Sequence, residues 1–370
     1  MARLRVALNG RFSGTLQPTG MQVTAFHLLD AIVRTVRDFD VVIFADPQFP
    51  GVGEWASFSD VELVPTPFVK WSRMKSQLWE QLALPWLVKS KDCRIVHHPI
   101  TTCPRFNLGT KTVVTLHDLG FLHHPEWVDA SFRRWLLATA IPGIRAATRV
   151  VAISDYVLAD IRRSLGLSEE KTLRIYNGIN PTPEGGAPKN GSVPFRLLGV
   201  NLWQPHKNLI RLIDAFALLR VRYPQVELHL AGRPQARYRE QPELAQRLET
   251  PGVKILGYLS NAELADAYRA ASVFVFPSLE EGFGLPILEA MSAGTPVVTS
   301  NASCLPEIAG GAAILVDPLR IDAIAEGLES ALTESLEARE ARIAQGFVVA
   351  RRFSWFGTAQ AYTQLYRTLA

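Results

Sequence analysis

Two glutamates, Glu281 and Glu289, frame the run Gly282-Phe283-Gly284-Leu285-Pro286. The apolar residues 273–276 ahead of it read as a buried strand. A helix is expected to start at about Pro286, a residue suited to the first helical position. Backbone N–H groups at such a start lack partners within the helix and carry partial positive charge, so the turn suits an anion such as a diphosphate. Gly282 and Gly284 let a ligand approach the backbone closely. Both carboxylates can accept hydrogen bonds from hydroxyl groups, as recognition of a sugar requires. A second reading stands beside this one. Glu289 in the first helical turn would then only stabilise the helix dipole, and Glu281 would be a solvated loop acid.

Other groupings of reactive side chains do not assemble. Asp38-Phe39-Asp40 spells a metal-binding D-x-D, but it precedes a strand instead of following one, so a loop role is expected. His97-His98, His117 and His123-His124 have neither a glutamate at helical spacing nor a cysteine pair beside them, so no metal site is expected. Gly10-Arg11-Phe12-Ser13-Gly14 lacks the full G-x-G-x-x-G pattern of a nicotinamide site. Cys93, Cys103 and Cys304 are odd in number and widely spaced, forming no disulfide frame and no zinc site. A reducing cytoplasm is the expected location.

The elements that must position these residues alternate nearly throughout. Short apolar runs at 4–8, 41–45, 94–97, 112–116, 149–153 and 173–176 read as buried parallel strands. Helical stretches fall between them near 21–36, 77–88, 132–147 and 156–165. The pattern stops at the proline- and glycine-rich run from Asn180 to Gly191. It restarts with strands at 195–200, 226–230, 253–256, 273–276, 296–299 and 313–316, with helices near 209–220, 262–270 and 285–293. After Pro318 the chain is expected to be helical to its end. The fold class is therefore α/β, with two doubly wound Rossmann-like domains whose sheet ends face a cleft. The expected division is 1–180, a linker at 181–194, 195–350, and a final helix at 351–370 that packs back on the first domain.

With 370 residues, 48% of them apolar and 20% charged, the chain has the profile of a two-domain globular enzyme. A net charge of +4 is too small to argue for nucleic acid. No run of about 18 apolar residues spans a membrane, and the apolar stretch at the N-terminus is too short for a signal peptide. The aromatic, basic segment Phe68-Val69-Lys70-Trp71-Ser72-Arg73-Met74-Lys75, continuing to Trp79 and Trp86, has two readings. It is either a peripheral contact with the inner face of a membrane or an amphipathic helix with its aromatics in the core. The core reading is preferred, because Trp79 and Trp86 are seven residues apart on one helical face.

Glu281 and Glu289 with Gly-Phe-Gly-Leu-Pro between them resemble the E-x7-E signature of the retaining glycosyltransferases of family 4, which have the GT-B fold. The resemblance runs along nearly the whole chain. Pro18-Thr19-Gly20-Met21 is similar to the family's glycine turn beside the donor diphosphate. Thr115-Leu116-His117-Asp118 is similar to its strand-end His-Asp pair, Val151-Ala152-Ile153-Ser154 to a strand end, and Tyr176-Asn177-Gly178 to its Asn-Gly turn. His206-Lys207-Asn208 resembles the start of the first helix of the second domain, and Ser300 through Glu307 a loop near the ribose and base.

The resemblance implies a retaining hexosyltransferase. It would move a mannose- or glucose-type sugar from a GDP- or UDP-linked donor to a glycan or lipid-linked acceptor, with no cofactor and no metal. Glu281 would hold hydroxyls of the transferred sugar and Glu289 those of the ribose. Lys207 would offset charge on the leaving diphosphate, with Asn208 and the Gly282, Phe283, Gly284, Leu285 turn beside it. Gly20 would admit the same phosphates. His117 would bond a hydroxyl of the donor sugar, and Asp118 either joins it or caps the next turn. The family often has an arginine five residues before the lysine, where this chain has Leu202; Leu202→Arg is expected to restore some charge if that side chain faces the cleft. Two other classes fit less well: an epimerase-like enzyme acting on sugar nucleotides, and a non-catalytic partner subunit.

Overall fold

The computed structural model describes residues 3–16, 19–35, 38–182, 195–234 and 241–370. The chain divides into two compact units. The first runs to Gly178 and takes in Ser354–Ala370 as well; the second is Ile179–Phe353. Most of the expected linker, residues 183–194, lies outside the described residues, as do Pro18 and Val36.

The first unit holds seven strands: β1 Arg5–Gly10, β2 Asp40–Ala45, β3 Val61–Pro65, β4 Ile95–His98, β5 Lys111–Leu116, β6 Arg149–Ala152 and β7 Thr172–Arg174. They pair in parallel in the order β3-β2-β1-β4-β5-β6-β7. β3 has no counterpart in the sequence reading. It is an edge strand, half-buried, ending in proline and carrying Glu62, which pairs with Arg5 and Lys91. That pattern lacks the continuous apolar run of a central parallel strand.

The helix Trp355–Leu369 completes this unit. Its Tyr362, Leu365, Tyr366 and Leu369 enter the same core as Leu28, Leu29 and Ile32 of the helix Gly20–Thr35. A buried polar chain ties it to the sheet. Tyr366 Oη lies 2.6 Å from His97 Nδ1, His97 Nε2 lies 2.8 Å from Thr115 Oγ1, and Tyr362 Oη lies 2.6 Å from that hydroxyl. Gly178 passes beneath the start of this helix, where a Cβ would come 2.2 Å from the Trp355 nitrogen, so the position admits no side chain.

Residues 73–90 form a helix in three parts: Arg73–Leu78, a π turn Trp79–Ala83, and Leu84–Ser90. Buried pairs recur every four residues, at Ser76/Gln77, Glu80/Gln81 and Leu84/Pro85. Four residues overshoot the regular 3.6-residue turn, and the wider π turn absorbs the drift. The expectation that Trp79 and Trp86 share one core face is overturned. Trp79 packs on Phe68 and Phe44, whereas Trp86 is 64% exposed, in line with Met74, Leu78 and Leu82 on the outer face.

The second unit holds β8 Arg196–Val200, β9 Glu227–Ala231, β10 Val253–Gly257, β11 Val273–Phe276, β12 Val297–Ser300 and β13 Ala313–Val316. They too are parallel, in the order β10-β9-β8-β11-β12-β13. In each sheet the strand order reverses direction beside the unit's first strand, at β1/β4 and at β8/β11. Ligands of open α/β sheets bind outside the carboxyl ends of the strands at such points. Just past β8, Asn201 adopts φ +55° and turns both Leu202 and Trp203 into the core. A Leu202 methyl sits 2.6 Å from where a Cβ on Gly199 would stand. Leu202 is thus a packing residue, which removes the expectation that an arginine there would serve the phosphate site.

Two stability predictions follow from these cores. Leu202→Arg should cost about 4 kcal/mol, because it buries a charge without a partner; urea unfolding should show a lower midpoint and no gain in activity. The second concerns acid. Burial pushes His97, His98 and His117 below their ordinary value of 6.5, His98 to about 4. Between pH 6.5 and 4 the unfolded chain then binds more protons than the folded one, so stability falls as pH is lowered. His98 alone accounts for about 3 kcal/mol of that loss by pH 4. Unfolding free energies of His98→Gln measured from pH 7 to 4 should decline less than those of the parent; parallel declines would show that His98 is not held neutral.

Candidate active site

The second unit brings Lys207 and Glu281 together at the β8/β11 reversal. Pro205–Lys207 form one short 3-10 turn after β8, and the helix Leu209–Arg222 begins two residues after Lys207. Lys207 therefore precedes the helix instead of starting it. Its Nζ lies 2.6 Å from Glu281 Oε1, in the loop after β11, and 5.1 Å from the centre of the Phe276 ring. Both side chains are largely enclosed, at 16% and 11% exposure. The ring face adds a cation–π contact that holds the ammonium over the end of β11.

Asn208 fixes this corner. It sits in the left-handed region at φ +64° and is buried. Its Nδ2 donates to the carbonyls of Pro277 at 2.9 Å and Pro318 at 2.7 Å, and its Oδ1 accepts from Arg211 Nη1 at 3.0 Å. With both amide hydrogens committed, Asn208 positions Lys207 and has no side-chain donor left for a ligand.

After β11 the chain turns through Gly284, at φ +90°, into the helix Leu285–Ser292. A side chain at Gly284 would be strained by that conformation and would meet Leu305 at 2.7 Å. Pro286 is the second helical residue, not the first, and Glu289 falls in the second turn, outside the reach of the helix dipole. The reading of Glu289 as a dipole-stabilising acid is corrected accordingly. Glu289 Oε2 accepts from Tyr268 Oη at 2.8 Å, while Oε1 has no partner among the described residues. Desolvation raises the Glu289 pKa, and the tyrosine hydrogen bond opposes that rise. Phe283 packs edge-on against Phe353 at 5.6 Å, so its side chain belongs to the core.

Sequence reasoning missed Tyr268, and it named Ser303 only as part of the loop Ser300 through Glu307. Tyr268 reads as a helix aromatic within Asn261–Ala270, and only the fold places its hydroxyl on Glu289. Ser303 adopts φ +54° in the loop after β12 and accepts a hydrogen bond from the Glu281 backbone N–H at 3.2 Å. Nothing in a serine's type signals that conformation.

The remaining candidates lie in the first unit. Gly20 opens the helix Gly20–Thr35, with Gln22 Oε1 accepting from the Thr19 N–H at 2.8 Å. Among the described residues, no atom beyond its chain neighbours and its own helix backbone lies within 4 Å of where its Cβ would be. His117, just past β5, is buried and its Nε2 lies 2.9 Å from the Pro99 carbonyl. A carbonyl only accepts, so the proton is on Nε2 and Nδ1 is left as an acceptor for a hydroxyl. Burial keeps this ring neutral by lowering its pKa. Asp118 Oδ1 accepts from the Gly120 N–H at 3.0 Å and shapes that turn. Asp38 pairs with Arg367 at 2.7 Å and Asp40 with Arg3 at 3.1 Å. Among the described residues no three His, Cys, Asp or Glu side chains are grouped to hold a metal ion, and no helix is long and apolar enough to cross a membrane.

Comparison with known proteins matches this architecture. Residues 192–347 match the family profile of glycosyl transferases group 1, and residues 18–182 that of glycosyltransferase family 4. O-antigen chain mannosyltransferase B of Escherichia coli is 30% identical over 298 residues, 77% of each chain. O-antigen chain mannosyltransferase RfbU of Salmonella typhimurium is 26% identical over 313 residues, 81% of this chain and 83% of its own. The solved structure of sucrose-phosphate synthase from Thermosynechococcus elongatus superposes with a TM-score of 0.77 at 22% identity, covering 99% of both chains. The two doubly wound units are those of the GT-B fold, and the chain belongs to the group 1 glycosyltransferases.

Proposed function

We propose that the protein is a retaining hexosyltransferase that moves a mannose-type sugar from a GDP- or UDP-linked donor to a glycan or lipid-linked acceptor. The observation that carries this reading is the enclosed Lys207–Glu281 pair beside the glycine turn that opens the helix Leu285–Ser292. One cation, the positive end of a helix and two carboxylates fit a diphosphate flanked by two sugars. The lean toward mannose rests on the two relatives named mannosyltransferase.

The diphosphate draws Lys207 away from Glu281. That frees the carboxylate to accept from hydroxyls of the transferred sugar, while Glu289 Oε1 accepts from the ribose. His117 and Gly20 keep the roles the resemblance gives them, bonding a sugar hydroxyl and admitting the phosphates. The bond from the anomeric carbon to the phosphate oxygen breaks, and a bond to the acceptor oxygen forms on the same face. The acceptor proton passes to the departing phosphate. This route needs no protein nucleophile and no divalent metal, because Lys207 and the helix start meet the developing charge. A site on the inner face of a cytoplasmic membrane fits the exposed row Met74, Leu78, Leu82 and Trp86, with Arg73, Lys75 and Lys89 nearby.

Donor identity is tested by thermal shift. At a hundred times its Kd the true donor should stabilise the fold by about 2.7 kcal/mol. No stabilisation by any GDP- or UDP-linked hexose would overturn the reading, and an inverted product anomer would overturn retention. Among variants, Lys207→Ala should lose at least about a hundredfold in turnover, the typical cost of removing one charge-stabilising donor. It should also lower stability by about 1–2 kcal/mol, since it strands an enclosed carboxylate. Glu281→Gln should lose turnover with little change in nucleotide affinity, whereas Glu289→Ala should weaken binding of the free nucleoside diphosphate. Calorimetry and initial rates separate the three. Activity should persist after chelation and dialysis; complete loss with rescue by a divalent ion would remove the metal-free route.

A further inference from the structure

The first unit has its own enclosed ion pair at the equivalent reversal, and no role described above uses it. Arg11 directly follows β1, and His98 ends β4. Between them the π turn of the helix beginning at Arg73 pushes in Glu80, which is 0% exposed. Glu80 Oε1 accepts from Asn9 Nδ2 at 2.7 Å and Thr102 Oγ1 at 3.1 Å, and Arg11 Nε lies 3.1 Å away. Arg11 Nη2 donates to Thr102 Oγ1 at 2.5 Å. Asn9 Nδ2 also lies 3.0 Å from His98 Nδ1, and the amide nitrogen only donates, so His98 carries its proton on Nε2.

Four polar atoms in this cluster are buried without a hydrogen-bond partner among the described residues: the acceptor Glu80 Oε2 and the donors Arg11 Nε, His98 Nε2 and Thr101 Oγ1. Buried polar groups are otherwise nearly always paired. Arg11 Nη1 has no protein partner among the described residues, and the side chain is 12% exposed. The guanidinium is thus clamped from behind and reaches solvent at the carboxyl ends of β1 and β4, where ligands of such sheets bind. Its charge is matched by Glu80, so the cluster offers planar N–H donors without excess positive charge. That chemistry suits neutral hydroxyl groups better than a phosphate.

We propose that Arg11 is an acceptor-recognition residue, presenting Nη1 to hydroxyls of a neutral sugar, with Glu80 as the positioning residue that orients it and cancels its charge. The proposal rests on the glycosyl-transfer reading. The test is calorimetric titration of the intact protein with neutral disaccharides ending in mannose, glucose, galactose or N-acetylglucosamine, with the nucleoside diphosphate titrated separately. The parent should bind at least one disaccharide. Arg11→Ala and the charge-keeping Arg11→Lys should each weaken it about tenfold or more, with nucleoside diphosphate affinity unchanged. Glu80→Gln leaves Arg11 uncompensated, so inorganic phosphate should compete with the sugar in that variant and not in the parent, an effect that a merely structural role would not produce. Equal sugar affinity in folded Arg11→Lys, no sugar bound by the parent, or phosphate competition in the parent would each overturn the proposal. Failure of every nucleotide to bind would instead count against the donor reading and leave the disaccharide result standing.

Discussion

The candidate donor site depends on one buried amide. Asn208 ties the segment after β8 to Pro277 after β11 and to Pro318 after β13. Three loops that are far apart in sequence are fixed to one another by two hydrogen bonds and a left-handed backbone turn. Without that tie, Lys207 is a long, rotamer-rich side chain with no defined position relative to Glu281. A hydrogen bond enclosed in this way is worth far more in geometry than the roughly 1 kcal/mol it adds to stability. If Lys207 is the catalytic cation of the proposed function, its placement depends on tenths of an ångström, and its neighbours' loops must agree on where it is.

A cation and a carboxylate held face to face also offset each other's desolvation. Either group alone in that enclosed corner would face a desolvation cost with nothing to offset it. Paired, they neutralise each other; on the proposed function, the ligand that parts them bears both phosphate charge and hydroxyl groups. The ligand must then replace both halves of the contact. A bare phosphate satisfies the lysine and strands the glutamate, and a bare sugar does the reverse. On the proposed function, selectivity for a molecule carrying both groups would come from the pairing itself.

Much of this architecture was legible in the sequence, because parallel strands buried on both faces leave long apolar runs. The runs at 41–45, 112–116 and 273–276 coincide with β2, β5 and β11 within a residue. β3 was not legible, since an edge strand that carries a glutamate and ends in proline looks like loop. Glu281 and Gly284 stood out because their spacing and residue types suggest an anion and hydroxyl site, whereas Lys207 stood out only through the family resemblance. Their mutual geometry did not, since the Lys207–Glu281 contact spans 74 positions. Local conformations were the least visible: Ser303 in the left-handed region against its type, Asn208 there in keeping with its type but without a signal of position, and the π turn that buries Glu80. Leu202 was misread for a related reason, because Asn201 redirects the chain there and the sequence alone gives no direction for a side chain.

The return of the last helix to the first unit has a consequence for the order of folding. The second unit, Ile179–Phe353, is continuous in sequence, so all of it leaves the ribosome before the helix Trp355–Leu369 does. The first unit is synthesised earlier yet waits longest, because Tyr362, Leu365 and Tyr366 of its core arrive last. Until then the face made by Leu28, Leu29 and Ile32 has no cover, and His97 lacks its tyrosine partner. Domains usually complete in the order they are made. Here the order is inverted, and the nascent chain carries an exposed apolar face through the synthesis of its entire second half. That interval is when a chaperone, or another copy of the same chain, can reach it.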